Sequence, residues 1–462
     1  DSSQTFFFIS HTRGADEITI WEGNAITGKV RKVRSEKSST RAGVTGSNIQ
    51  YGVEDIPGTD DYIWYSDKNG RGQFFRMNGR SGRVRNAISD SDVTALDIHY
   101  IDVDKSEVYF TAYPSPEVTD PDRIQLYKAS LEAGEQERLT DTNTHHSIHF
   151  SPSGKHYIDI ASRIDQPPTV YLRSIDGTAS EIFVSSDDGW ARPQKARPSR
   201  FEVLAADGKT KIYGNMYRPS YWSAQAKYPI INWIYGSAEY QVAGEGFDQR
   251  SSRLQHFAEA GFIVIELDSR GTPGRTKTFN DFGMGAGHNI CGAQDHVAAM
   301  KQLAERDPTI DIRRPAVGGH SGGGQCAYRL ALREPDFFKA AVISAPSSDP
   351  YILGAFYIED FLGLIDEEDL FAEGARDPDL PKLSADVFII QGEVDEDVPP
   401  ASALRLVDQM IAQDKMFELL LIPNAGHSVY SDYVIRRVAN FYAESLYGVS
   451  LMKNSQGLSQ RD

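Results

Sequence analysis

The amino-acid sequence predicts a two-part fold, an all-β domain of short repeated sheets followed by an α/β domain in which helices cover a parallel sheet. Three observations carry this. The chain changes character near Pro193–Phe201, from short strands between turn clusters to strands that alternate with helices. The part before that point repeats a unit loosely, and the part after it holds continuous apolar runs of strand length. The expected boundaries are 1–195 for the β-rich domain, 196–448 for the α/β domain and 449–462 for a polar tail.

Length and charge bound the reading. A chain of 462 residues exceeds one compact core, and its ordinary apolar content allows a large one in each domain. Lys and Arg number 48 against 65 Asp and Glu, a net charge of −17 that repels phosphate backbones. With no dense basic stripe, nucleic-acid binding is excluded as a function class. No apolar run reaches the roughly 18–20 residues that span a bilayer. Cys291 and Cys326 cannot form a disulfide framework and read as small buried residues rather than partners, with a single bridge left open. The chain begins at Asp1, which fits a mature chain after leader removal or a fragment; the expected compartment is secreted or periplasmic.

Four segments of the first part share one pattern: a strand, a polar turn, a second strand and a Gly-containing corner. They are Phe7–Gly23, Ile63–Gly79, Val108–Gly134 and His156–Gly177. Small residues at Ser10, Ser66, Thr111 and Ser162 mark steps of 56, 45 and 51 residues, the irregular period of β-propeller blades. About four blades fit, on a period of roughly 45–50 residues; a β-sandwich with similar hairpins is the alternative. His145, His146 and His149 read as blade-strand histidines at a turn, since no Cys or acidic partner sits at metal-site spacing.

In the second part, Tyr228–Tyr235, Phe262–Leu267, Ala340–Ser344, Val387–Ile390 and Leu419–Ile422 read as strands buried on both faces. Helices are expected at Ala293–Ala304, at Gly324–Arg333 ahead of Glu334-Pro335, and at Tyr433–Leu446. Beyond Gly448 the tail is polar and expected to fray.

Residues Gly319-His320-Ser321-Gly322-Gly323 match the Gly-x-Ser-x-Gly elbow, a tight strand-to-helix turn that holds a serine in a strained conformation. A short strand, Arg314–Gly318, precedes it and a helix follows, aiming free amides at the serine. Asp395 lies just past one expected strand and His427 just past another, both at the rim where parallel sheets build their sites. The order Ser, Asp, His is that of α/β-hydrolases. Ser321 is thus the candidate nucleophile, His427 the base and Asp395 its orienting carboxylate. His320, at the elbow's x position, reads as a packing residue. No Gly-rich phosphate loop or dinucleotide fingerprint appears, so no cofactor is implied.

From about Phe201 to Tyr447 the chain resembles the catalytic domain of the prolyl oligopeptidase family, dipeptidyl peptidase IV branch. The matching stretches are Tyr235-Gly236, Asp268-Ser269-Arg270-Gly271-Thr272, Gly319–Gly323, Ala345-Pro346, Tyr357–Gly363 and the two triad loops. Ile124-Gln125-Leu126-Tyr127, Arg138-Leu139-Thr140 and Phe150–Lys155 resemble that branch's propeller blades. The resemblance implies an α/β-hydrolase catalytic domain capped by a propeller, and cleavage of short peptides through an acyl-enzyme. It places an oxyanion donor at Tyr235 beside the N–H of Gly322, and substrate contacts at Leu353, Tyr357, Phe361, Asp397 and Val398. It also implies a homodimer through Tyr433–Leu446, and gives Arg270 and Asp295 bracing roles, Asp295 being otherwise a surface residue.

Three departures limit what carries over. Pro350 and Leu353 stand where the family has Trp and Tyr, and Phe361 lacks a hydroxyl, so a strict post-proline preference is not implied. Asp397 replaces an Asn that helps hold the substrate backbone; it either biases selection by charge or faces solvent. The branch's amine-capturing glutamate pair has no counterpart, since Glu54-Asp55 and Asp366–Asp369 read as solvated faces. With about half the branch's blades, the chain is either a shortened fragment or a variant with a reduced cap. An esterase or acylamide hydrolase with the same triad, or a non-catalytic binding propeller, are the alternative functions.

Overall fold

The computed structural model describes residues 4–43, 52–132, 134, 136–184, 197–236, 240–244, 246–247, 250–284, 291–349, 351–364 and 378–452. Its first half is a series of antiparallel sheets, each made of strands consecutive in sequence. The first has three strands, β1 (Thr5–His11), β2 (Glu17–Asn24) and β3 (Val30–Lys37). Three four-stranded sheets follow: β4 (Val53–Asp55), β5 (Asp61–Ser66), β6 (Gln73–Asn78) and β7 (Val84–Ala87); then β8 (Thr94–Asp102), β9 (Glu107–Tyr113), β10 (Gln125–Ser130) and β11 (Gln136–Arg138); then β12 (His145–Phe150), β13 (His156–Arg163), β14 (Gln166–Ser174) and β15 (Ala179–Val184).

The corners of these sheets follow from their residues. After β2, Asn24 Oδ1 accepts the N–H groups of Ile26 (3.1 Å) and Thr27 (2.8 Å), and Gly28 takes φ 67°. After β6, Asn78 Oδ1 accepts the N–H of Ser81 at 2.9 Å, and Gly82 takes φ 62°. Asn supplies the side-chain acceptor and Gly the left-handed backbone, so two blades turn by the same chemistry. Each segment of the sequence repeat spans the paired strands at the heart of a sheet: β1–β2, β5–β6, β9–β10 and β13–β14.

Neighbouring sheets share cores in succession. Ile18 and Ile20 of the first pack with Trp64 and Met77 of the second. Ile63 and Phe74 of the second pack with Phe110 and Tyr127 of the third, and Leu126 of the third with Ile148 and Tyr157 of the fourth. Serial stacking is how propeller blades bury themselves, whereas a sandwich would close two sheets on one core. In the last sheet, buried His146 is bonded to Asp159 (2.7 Å), which also accepts from Arg173 (2.6 Å).

The second half holds an eight-stranded sheet in the order β16-β17-β19-β18-β20-β21-β22-β23. Its strands are β16 (Ser199–Leu204), β17 (Lys211–Tyr217), β18 (Tyr228–Ile234), β19 (Ile263–Asp268), β20 (Ile310–His320), β21 (Ala340–Ser344), β22 (Asp386–Gly392) and β23 (Glu418–Ile422). From β19 to β23 all pairings are parallel; β17 pairs antiparallel on both sides. The short strand expected at Arg314–Gly318 is the second half of the longer β20. The expected helices run slightly further, as α3 (Ala293–Arg306), α4 (Gly322–Arg333) and α7 (Asp432–Tyr447), joined by α1 (Arg250–Glu259), α2 (Lys277–Asp281), α5 (Ala355–Leu362) and α6 (Pro400–Ala412). Two apolar cores lie on opposite faces of the sheet, one centred on Val317, Ile343 and Leu330, the other on Val342, Phe388 and Tyr442.

Two details depart from expectation. Cys291 and Cys326 form a disulfide, their Cα atoms 5.3 Å apart, because the loop before α3 folds onto α4. The tail does not fray at once: Ser450 Oγ and the N–H of Met452 both donate to Asn440 Oδ1 on α7 at 3.1 Å. Residues 453–462 and the junction at 185–196 lie outside the described residues.

The two halves meet through charged groups. Arg200 on β16 reaches Asp120 (2.8 and 3.0 Å) and Asp122 in the β-rich half. Lys277 donates to Thr40 Oγ1 (2.6 Å) and to the Arg41 carbonyl (2.8 Å). Arg13, in the turn after β1, grips Glu359 on α5 through two bonds, one of 2.8 Å. Beside it Arg41 and Asp360 face each other at 3.4 Å, their side chains only 2% and 5% exposed.

Candidate active site

β20 ends one residue before Ser321, which caps α4 with φ 60° and ψ −127°. A non-glycine residue is rarely found there, and the neighbouring structure must hold it. Two backbone bonds do so: Ser321 N–H donates to Ser344 on β21 (2.9 Å), and Gln325 N–H donates to the Ser321 carbonyl (3.0 Å). The glycines on either side permit the approach. A Cβ on Gly319 would lie 2.2 Å from the Gly323 carbonyl oxygen, and one on Gly323 would lie 2.2 Å from that of Ile234. Any side chain at either place would push the elbow off its strands.

Asp395 lies beyond β22 and His427 beyond β23, at the carboxyl ends of adjacent parallel strands. His427 Nδ1 meets the Asp395 carboxylate at 2.9 and 3.1 Å. Asp395 is 4% exposed, and its Oδ1 accepts the N–H groups of Asp397 (3.0 Å) and Val398 (2.9 Å). Its Oδ2 accepts from Gln391 Nε2 at 3.2 Å. These donors fix the direction of the carboxylate. The tautomer this implies for His427 carries its proton on Nδ1 and leaves Nε2 to accept.

Ser321 and His427 line one cavity of about 590 Å³. Tyr235 and Gly322 line it too, and the Tyr235 ring lies 3.3–3.5 Å from where a Cβ on Gly322 would stand. The Gly322 N–H belongs to the first turn of α4, where amides have no intrahelical acceptor. The opposite wall holds Leu353, Val398 and Asp397. Asp397 is exposed as well as lining the cavity, so the two readings of that carboxylate meet in one place. Phe361 is not in this lining: its ring lies under the Arg41 guanidinium, 5.0 Å away, at the contact with the β-rich half. Helix α5 carries Tyr357, but its side chain, like Pro350, lies outside the described residues.

Around this centre the sequence left several partners unassigned. Arg270 and Asp295 brace one another through two bonds of 2.7 and 2.9 Å, with Asp295 fully buried and also accepting from the Ala206 N–H (2.9 Å). His320 packs its ring 4.7 Å from His427 and 5.0 Å from Tyr430, and its Nδ1 bonds Ser344 Oγ at 2.9 Å. Burial, with His427 and Arg253 adding to it, pushes the His320 imidazole down to about 4. It is therefore neutral at pH 7 and does not compete with His427 as a charge. Neither Tyr240 nor Val242, both in the cavity wall, carries a motif that sequence reading could use.

Comparison with known proteins gives this arrangement a lineage. Residues 248–448 match the prolyl oligopeptidase family, and residues 1–168 match the dipeptidyl peptidase IV N-terminal region. Dipeptidyl peptidase 8 of Homo sapiens is 25% identical over 360 residues, which are 74% of this chain and 40% of that protein. A probable dipeptidyl-aminopeptidase B of Emericella nidulans is 25% identical over 371 residues, 75% of this chain and 39% of its own. This chain thus spans about 40% of the curated relatives it matches. A putative dipeptidyl aminopeptidase IV from Bacteroides ovatus superposes with a TM-score of 0.85 at 20% identity, covering 96% of this chain and 65% of that one. Porphyromonas gingivalis dipeptidyl peptidase 4 gives 0.83 at 16% identity, covering 96% and 62%. Those two structures bear on the fold, and the two family matches on descent: residues 248–448 form a prolyl oligopeptidase family domain, preceded at residues 1–168 by a dipeptidyl peptidase IV N-terminal region.

Proposed function

We propose that the chain is a serine peptidase that cleaves short peptides through an acyl-enzyme, in the manner of a dipeptidyl peptidase. The observation that carries this reading is Ser321 on its strained elbow, sharing a cavity with a histidine held by a buried aspartate. The family match and relatives named dipeptidyl peptidases support it.

The chemistry follows from the geometry. Ser321 Oγ attacks the peptide carbonyl carbon as His427 Nε2 takes its proton. The oxygen that gains charge meets the Gly322 N–H and the Tyr235 hydroxyl, which donate to it. When the C–N bond breaks, His427 returns the proton to the leaving amine, and Asp395 stabilises the transient imidazolium. Water, deprotonated by the same histidine, then releases the acyl half. Leu353 in the opposite wall offers an aliphatic rather than an aromatic face, so the acyl side fits residues other than proline as well.

A fluorophosphonate probe should label the wild-type chain and fail to label Ser321→Ala. Chromogenic Xaa-Pro, Xaa-Ala and Lys-ended dipeptides, run beside simple esters, then read the substrate class. Turnover of esters alone would replace the peptidase reading with an esterase one.

A further inference from the structure

A second cavity of about 170 Å³ lies behind the oxyanion side of the site. Tyr235 and Val242 line both cavities, so the two share a wall. The smaller one holds a cation, Arg253, and an anion, Glu266, in a mostly apolar lining. The Arg253 guanidinium lies over the Tyr430 ring, 3.8 Å from its centre. Among the described residues no carboxylate comes within ion-pairing distance of it. Glu266 is held differently, accepting from Tyr217 Oη (2.7 Å) and Asn215 Nδ2 (3.1 Å). A half-buried guanidinium seated on an aromatic ring, with no carboxylate in ion-pairing range among the described residues, is poised for an anion from outside.

The position of this cavity relative to the triad says which anion. His427 must protonate the departing nitrogen, so the leaving group lies on the His427 side of the bond. His320 packs against His427 and also lines the second cavity, next to Tyr430. Arg253 therefore stands beyond His320 on the side of the bond from which the leaving group departs. When one residue follows the cleaved bond, that group is a single amino acid, with a carboxylate at one end and a new amine at the other. The cavity is of residue size, well below the 300 Å³ or more of typical ligand pockets, and offers one charge of each sign.

We propose that this cavity receives the C-terminal residue of the substrate and that Arg253 binds its free carboxylate, making tripeptide acids the preferred substrates. The step adds no chemistry to the acyl transfer: the C–N bond breaks, the nitrogen takes the proton from His427, and the carboxylate stays ionised throughout. The proposal rests on the peptidase reading above and deepens it.

The test uses the whole chain and the best dipeptide of the chromogenic panel, extended by one alanine as the free acid and as the C-terminal amide. Wild type should favour the acid by about tenfold or more in kcat/KM, mostly through KM, as expected for a charge-assisted bond. In Arg253→Gln the acid-to-amide ratio should fall to about one, and Arg253→Lys should restore part of it. A purely structural role for Arg253 would lower both substrates together and leave the ratio alone. Inhibition of the wild type by alanine, compared with alaninamide, reads the same preference without any variant. Equal handling of acid and amide by the wild type, or an unchanged preference in Arg253→Gln, overturns the proposal. If the chromogenic dipeptide is cleaved but acid and amide are alike, this site alone falls. If the probe labels Ser321 but no peptide is cleaved, the peptidase reading falls and takes this site with it.

Discussion

The reacting groups and the seam between the two halves of the chain are built in opposite ways. Ser321, Asp395 and His427 all come from the ends of parallel strands in one domain: the Ser321 N–H is bonded to β21, and the loops of Asp395 and His427 are tied together by the Val394 N–H on the Ala425 carbonyl. The contact between the two halves of the chain is instead made by charged side chains, as in Arg13–Glu359 and Arg41–Asp360. Backbone-held chemistry is rigid and local. Ion pairs between domains are specific, but their strength depends on burial, charge and pH. The same fold can therefore keep its reacting groups fixed while the contact between its halves responds to pH and salt.

The sharpest way to test that division is to disable the chemistry alone. Asp395→Asn keeps the loop but favours the wrong His427 tautomer, and kcat should fall by about 10⁴-fold with little change in melting temperature. A large loss of stability would show that the triad also holds the fold together.

Next in size is the seam. Arg41→Met strands Asp360 in a buried place, and breaking one side of such a pair costs about 3–5 kcal/mol. Denaturant unfolding should show this, with Arg41→Met/Asp360→Leu recovering part of the loss. Burial already raises the Asp360 carboxyl despite Arg41, so removing the arginine should raise it further. If probe labelling of Ser321 collapses in Arg41→Met as well, the two regions are not separable.

The smallest expected effect compares the domains by pH. His145 in the β-rich half, and His296 and His320 in the α/β half, are each pushed by burial from 6.5 to about 4. Unfolded, each takes a proton near 6.5; folded, each resists until about 4. The unfolded chain thus binds more protons in that window, and stability falls as pH drops from 6.5 to 4, with no further loss from these groups below it. Melting temperature against pH should be less steep in His145→Gln and in His296→Gln than in wild type. Parallel curves would mean that the imidazoles are already protonated in the folded protein.

How far the sequence reaches follows the same division. Runs such as Ala340–Ser344 announce buried strands because both faces are apolar, and the elbow announces itself because its glycines and serine are contiguous. The acid and base are legible because each follows a readable strand. Arg13 and Glu359 are not: they stand 346 positions apart, and each looks like an ordinary surface charge. Phe361 sits in a family stretch, yet the proximity of Arg41 turns it toward the other domain. The cysteine pair was legible only as an open choice, since spacing alone does not say that the loop before α3 folds onto α4. Arg253 carries no motif at all; its meaning lies in a tyrosine of another loop.

One consequence of the elbow reaches beyond catalysis. At φ 60° the backbone of Ser321 sits where glycine rests more easily, at a cost on the order of 1 kcal/mol for any other residue. Replacing the nucleophile with glycine would therefore give a dead protein that resists unfolding slightly better than the living one. Mutational drift at this position runs downhill toward silence, and only selection for turnover holds the serine in place.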